Sequence, residues 1–396
     1  MARHPPVAEN RDVATKGVPV EQAVGRTKRE PYLDLLRAGS LFVVVAWHWV
    51  FSVVWWGADG PHTGNPIATT PGGWALTWVL QVMPVFFFVG GYVHLRTWES
   101  VELAGGGWRT FVSRRLKRLL VPALVCLGAA GALRLFLAVV APGLTWASQG
   151  LFVVLTPLWF LAIYVGQVLI APAAARAHGR FGVRVPVALA AGAAAVDVAR
   201  FAFGIDGVQW ANLLLVWAFT HQLGFFWPLL AAAGRGVAGA LALAGLAGLA
   251  VLTNIGVYSR SMVGVAGEAV SNMGPPTACI LALTLLQTGL ILLLREPAER
   301  WLERPRPRRL VQWAGARAMT VYLWHFPAFA VAYGLVRLAG IEVPDRPSAA
   351  WWLQRPLWVL LPALCILPFV GAFRRFDRRR AAAPAIRAGR PGPQGR

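Results

Sequence analysis

The sequence predicts an all-α integral membrane protein, a bundle of about ten transmembrane helices with both termini cytoplasmic. Three observations predict it. Of the 396 residues, 57% are hydrophobic and 14% charged, where a soluble domain carries roughly 25% charged residues. Apolar runs close to the ~20 residues that cross a hydrocarbon layer recur along the whole chain. Lys and Arg gather in every second loop between those runs, which is the positive-inside pattern. No stretch between the runs is long enough to build a separate soluble core.

Taken in order, residues 1–31 are polar and basic and lack the apolar core of a signal peptide, so a disordered cytoplasmic arm is expected there. The membrane domain is expected over residues 32–373. Its spans are Tyr32–Val54, Trp74–Leu95, Leu119–Val140, Leu151–Ala171 and Val185–Phe203, then Trp210–Leu230, Val237–Val257, Thr277–Leu294, Ala314–Leu338 and Leu357–Phe373. The fifth and seventh are rich in Ala and Gly, which suits close helix–helix contact. Residues 374–396, rich in Arg, Pro, Gly and Ala, are expected as a disordered basic cytoplasmic tail.

The loops give the orientation. Arg96, Arg109, Arg114, Arg115, Lys117 and Arg118 follow the second span, Arg176, Arg180 and Arg184 the fourth, and Arg295 to Arg309 the eighth. The alternate loops are nearly free of Lys and Arg or carry partly balancing acids. The formal net charge of +21 therefore reads as a topology signal and an attraction to lipid headgroups, not as a nucleic-acid surface. Residues Trp108–Arg118 (WRTFVSRRLKR) set Phe111 and Leu116 against a basic face at helical spacing, as in an interfacial amphipathic helix. Cys126, Cys279 and Cys365 each sit within apolar runs without metal-ligand spacing, so neither a metal nor a disulfide is expected.

Ionisable groups inside spans are costly and need a reason. The first span holds Asp34, Arg37 and His48. At 100° per residue, the eleven positions from Arg37 to His48 return to within about 20° of one face. Asp34, three residues before Arg37, shares that side. One stripe thus carries an acid and a cation near the basic entrance and an imidazole roughly 16 Å deeper. The ninth span adds His325 beside Pro327, whose missing N–H frees a carbonyl one turn earlier. His221 in the sixth span stands with Thr220 and Gln222, His94 ends the second span, and Arg134, Asp197 and Arg200 lie in the third and fifth. A polar interior of this kind suits a substrate path or a proton path. A transporter or flippase using the Asp/Arg/His stripe is the alternative to an enzyme, although paired broken helices of the transporter kind are not evident in the sequence.

Five stretches carry a resemblance. LDLLRAGSLFVVVAWHW (Leu33–Trp49), PVFFFVGGYVHL (Pro84–Leu95), SRRLKRLLVP (Ser113–Pro122), LTPLWFL (Leu155–Leu161) and VYLWHFP (Val321–Pro327) resemble, in order and spacing, the signature elements of the acyltransferase 3 family of integral membrane acyltransferases. The resemblance covers about Leu33 to Phe373. One departure is Gly90–Gly91, where the family usually has Ser-Gly. The outer SNMGPPT (Ser271–Thr277) and HQLGFFW (His221–Trp227) match no general family element.

The resemblance implies a ten-helix domain that transfers an acyl group, usually acetyl from coenzyme A, to a hydroxyl of a sugar, polymer or natural product. His48, Arg37, Asp34 and His325 are the catalytic candidates. Arg114, Arg115, Lys117 and Arg118 offer forked or point charges for donor phosphates. Trp159 and His221 are further substrate-binding candidates. No bound cofactor is expected, since acyl-CoA is a substrate. The partners are that donor, a hydroxyl-bearing small-molecule or glycan acceptor, and the lipid bilayer. His48 would act as general base or as a covalent relay, and no G-x-S-x-G element points to a serine nucleophile. The abundance of Ala, Arg and Gly suggests a high-GC genome, and a bacterial cytoplasmic membrane is the expected location.

Overall fold

The computed structural model describes residues 30–265 and 268–377. The expected arm before Glu30 and tail after Asp377 lie outside the described residues. Helix α1 (Pro31–Val50) opens on a proline, whose fixed φ and missing N–H suit a first helical position, with Asp34 in the first turn facing the positive end of the helix dipole. It stops four residues short of the Val54 expected from hydropathy. Val53–Gly57 (β1) and Gly60–Gly64 (β2) instead pair as an antiparallel hairpin. The β-branched and aromatic run VVWW favours a strand, and Gly60 turns the chain at φ 127°.

The second expected span is broken into α2 (Trp74–Leu80) and α3 (Met83–Leu103). The break at Gln81–Val82 has a tertiary cause. Gln287 Nε2 donates to the carbonyls of Trp78, Val79 and Gln81 (3.3, 3.4 and 2.8 Å) and so satisfies the end of α2. Helix α4 (Trp108–Val140) is continuous for 33 residues with Pro122 inside it. The interfacial helix expected at Trp108–Arg118 is therefore the first three turns of the third span, not a separate element. After the short α5 (Ala147–Leu155), the fourth span begins only at Leu158, because Thr156–Pro157 interrupts the run, and continues to Phe181 as α6.

The remaining helices are α7 (Arg184–Phe201), α8 (Asn212–Phe225), α9 (Trp227–Ala232), α10 (Arg235–Leu252), α11 (Ala278–Leu293), α12 (Arg295–Leu302), α13 (Pro305–Gly315), α14 (Ala318–Leu338), α15 (Ala349–Leu353) and α16 (Arg355–Asp377). Among the described residues seven helical segments are long and apolar enough to cross a membrane, or eight if α11 and α12, bent by 50°, form one span. The expected fifth and sixth spans are helical but not among these. Helix α7 carries Arg184, Asp197 and Arg200, and α8 is 14 residues long. Arg374–Asp377, expected as the start of the tail, continues the last helix.

Packing explains the small-residue seams. A Cβ on Gly245 of α10 would lie 2.1 Å from the Leu286 backbone nitrogen, so the seventh expected span does make the close contact its composition suggested. Asp197, buried in α7, accepts from Asn212 Nδ2 (2.8 Å), the Tyr258 hydroxyl (2.9 Å) and the Ala278 N–H (2.7 Å). One carboxylate thus ties α7, α8, the segment before α11 and the start of α11, which accounts for a charge placed in the bundle. Four apolar clusters result among the described residues, and the two largest flank the site. One centres on Phe87, Trp217 and Leu283, the other on Val45, Trp324 and Trp358, and a cavity runs between the helices that hold them.

Candidate active site

The cavity has a volume of about 1150 Å³. Asp34, Arg37 and His48 all line it, as a single stripe on α1 requires. Arg37 Nη1 lies 3.8 Å from Asp34 Oδ1, and His48 is eleven residues, roughly 16 Å, further along the helix. Around Arg37 the lining adds Arg96 from α3 and Arg114, Arg115 and Arg118 from α4. Arg115 donates to the Val93 carbonyl (3.2 Å) and to the Thr97 hydroxyl, bracing α4 on α3. Arg114 and Arg118, four residues apart, share one helix face. Lys117 is exposed and outside the lining, because the 100° step before Arg118 turns it away.

His48 does not stand alone. Its Nδ1 is 3.1 Å from Nε2 of His325, a residue buried behind it on α14. His325 Nδ1 is 2.6 Å from the Tyr322 carbonyl. A carbonyl only accepts, so His325 carries its proton on Nδ1 and a neutral ring leaves Nε2 bare. That nitrogen accepts from the Nδ1–H of His48. By the same rule Nε2 of His48, on a ring that lines the cavity, keeps its lone pair. Trp49 Nε1 donates to the His325 carbonyl (3.0 Å). Cys126 Sγ donates at 3.8 Å to the Leu323 carbonyl, the one that Pro327 deprives of its usual partner. The Tyr322 hydroxyl donates to the Pro157 carbonyl at the break between α5 and α6. The arrangement offers a neutral base of defined tautomer, held by backbone groups.

Trp159 lines the same cavity, at the start of α6. His221 does not. It is buried against α3, its Nε2 2.9 Å from His94 Nδ1. Tyr164 packs on His94 with ring centroids 5.2 Å apart and itself faces the cavity, so it stands between this second imidazole pair and the space. The pair forms because α3 and α8 approach closely. A Cβ on Gly91 would lie 1.9 Å from the His221 carbonyl oxygen, and one on Gly224 1.9 Å from that of Phe88. A Cβ on Gly90 would meet the Tyr164 ring at 3.0 Å, which accounts for glycine where the resembled element has serine.

Sequence reasoning passed over Tyr322 as an orienting group, although its place three residues before His325 was readable as a local carbonyl. Arg96 had counted only toward topology. The VVWW run and Pro84 were local signals for the hairpin and the α2–α3 break that hydropathy overrode, whereas Val263, Gly264 and Met273, which line the His48 end, had none.

A family model described as an acyltransferase domain matches residues 30–373, nearly the whole described chain. None of the curated proteins and none of the solved structures compared with the chain matches it.

Proposed function

Because this chain belongs to the acyltransferase 3 family, we propose that it is a membrane-bound O-acyltransferase moving an acyl group, acetyl foremost, from acyl-CoA to a hydroxyl of a carbohydrate or natural-product acceptor. The observation that carries this reading is one cavity with five arginines at one end and the His48–His325 pair roughly 16 Å along it. That separation is of the order of an extended pantetheine arm. The arginines suit the donor phosphates, and the basic loops favour their end as the cytoplasmic one, with ten spans and both termini on that side. The cell membrane of a bacterium is the location this implies.

The acceptor hydroxyl gives its proton to His48 Nε2 as its oxygen attacks the thioester carbonyl. The carbon–sulfur bond then breaks, the coenzyme A thiolate takes the proton back from His48, and an ester and free coenzyme A leave. While His48 is cationic, its Nδ1–H donates to His325 Nε2, and the Tyr322 carbonyl holds the far side of that ring. General base catalysis of this kind contributes about 10²- to 10⁴-fold. The test is coenzyme A release from acetyl-CoA by purified protein in nanodiscs, with a panel of hydroxyl acceptors. Release raised by an acceptor and lost in His48→Ala supports the reading. Folded wild-type protein that neither binds nor turns over acetyl-CoA or longer acyl-CoAs refutes it.

A further inference from the structure

We infer that the end of the cavity beyond His48 is a subsite for an uncharged alcohol borne on an apolar body, recognised by aromatic contact and not by a network of hydrogen bonds. The inference rests on the acyltransferase reading and names the acceptor class for that same site. Two independent observations lead to it.

The first is charge. Every Asp, Glu, Lys or Arg that lines the cavity belongs to the Arg37 end: Glu30, Asp34, Arg37, Arg96 and the three arginines of α4. The opposite end is built by the hairpin (Thr63, Gly64 and Asn65), the α2–α3 break, and Val263, Gly264 and Met273 of the segment before α11. Among the described residues no Asp, Glu, Lys or Arg lines this end, and His48 is its imidazole. A charged acceptor there would lose its hydration without gaining a partner.

The second is hydrogen-bond capacity. Four of the polar side chains at this end, Ser52, Asn65, Gln81 and Thr77, are spent on the protein itself. Ser52 Oγ donates to the His48 carbonyl (2.5 Å). Asn65 donates from Nδ2 to the Gly264 carbonyl (2.8 Å) and accepts at Oδ1 from the Ile67 N–H (3.1 Å). Gln81 donates from Nε2 to the Met262 carbonyl (3.2 Å) and to Met273 Sδ (2.5 Å), and accepts at Oε1 from the Met83 N–H (3.2 Å). Thr77 Oγ1 donates to the Trp74 carbonyl (2.5 Å) and accepts from the Met262 N–H (2.9 Å). These bonds hold the outer segment against the broken span and leave few donors for a ligand. What remains toward the space is the Thr63 hydroxyl and an aromatic wall of Trp47, Phe51, Phe86 and Trp159, whose two indoles offer a single N–H each. Such a wall favours an apolar face and does not reward the many hydroxyls of a free sugar, each of which would surrender water for nothing.

The experiment uses the full chain in nanodiscs and four alcohols: menthol, menthol-type alcohols bearing a distal carboxylate or ammonium, and methyl glucoside. Equilibrium binding of each alcohol and acetyl transfer to each are measured, with acetyl-CoA binding read separately. The expected result is that menthol binds and is acylated at least tenfold better than either charged analogue and than methyl glucoside. Met273→Glu, which sets one negative charge in the subsite, shifts the ratio of ammonium-bearing to neutral alcohol use by at least tenfold, and Met273→Leu leaves that ratio alone. A ratio does not depend on how much of the variant folds. Preference for methyl glucoside or a charged analogue by the wild type overturns the inference, as does an unshifted ratio in Met273→Glu. If acetyl-CoA does not bind while menthol binds with the stated preference, the transferase reading fails and the subsite stands.

Discussion

Replacing His325 by leucine tests the chemistry without touching the cavity lining. In the wild type the Nδ1–H of His48 has an acceptor at 3.1 Å, and that acceptor is made available by the 2.6 Å bond from the far nitrogen of His325 to the Tyr322 carbonyl. Leucine removes the acceptor and keeps an apolar side chain of comparable bulk. The loss is greatest when His48 is cationic. A hydrogen bond to a charged group is worth about 1.5–3 kcal/mol, and each ~1.4 kcal/mol on the barrier is tenfold in rate. The expected fall in kcat is therefore roughly 10- to 150-fold. Arg37, at the arginine end proposed to hold the donor phosphates, lies about 16 Å along α1 from His48, so KM for acetyl-CoA stays within twofold. Steady-state acetyl transfer at saturating acceptor separates the two parameters, and His325→Gln, which offers an amide oxygen as acceptor, recovers part of kcat. Folded His325→Leu protein with kcat within threefold of wild type, or a loss confined to KM, would refute the pairing as a catalytic device.

Three further outcomes follow from the geometry. Arg114→Gln raises KM for acetyl-CoA about fivefold with little change in kcat, since a charge-assisted contact at an exposed side chain is screened to roughly 1 kcal/mol; titrating the donor in the transfer assay reads this. Gly91→Ala forces a Cβ to within 1.9 Å of a backbone oxygen on α8, and the overpacking lowers stability by at least ~1–3 kcal/mol, seen as a lower denaturation midpoint in detergent. The hairpin turn responds to acid. His62 Nε2 lies 2.7 Å from Asp59 Oδ1, and this hydrogen bond holds the Asp59 carboxyl below its usual value. A depressed carboxyl contributes order above its unfolded pKa and loses it as pH falls through the lower folded value. The protection factors of the amides at residues 57–60, which correct for the intrinsic pH dependence of exchange, should therefore be flat down to the ordinary carboxylate range and fall only below it, and Asp59→Asn should abolish that fall.

Much of the membrane domain and half of the site were legible because helical periodicity is a local property. The positions of Asp34, Arg37 and His48 alone put them on one face, and the structure lines one cavity with all three. His325 was visible as a costly residue beside a proline, but its meeting with His48 across 277 positions has no local trace. Hydropathy located the runs and misplaced their ends, since it counts apolar residues and is blind to what accepts a freed carbonyl. Pro84 marks where a helix can restart within Trp74–Leu95, but the cap that satisfies the preceding carbonyls comes from Gln287 on a distant helix. His221 read as a ligand for the right reason, an imidazole in a span, but its partner is another imidazole. Lys117 was grouped with its neighbours by composition, whereas one step around α4 separates it from them.

The length of α4 has its own consequence. At ~1.5 Å per residue its 33 residues extend for about 50 Å, some 20 Å more than a hydrocarbon core of ~30 Å. The surplus falls at the Trp108 end, where Arg114, Arg115 and Arg118 cannot sit in lipid tails. Those arginines therefore stand in the same water layer as the lipid phosphates, and any soluble anion that seeks them competes with headgroups already alongside. The affinity of this mouth is then set by the leaflet as much as by the chain, so the fraction of anionic lipid becomes a variable of the enzyme.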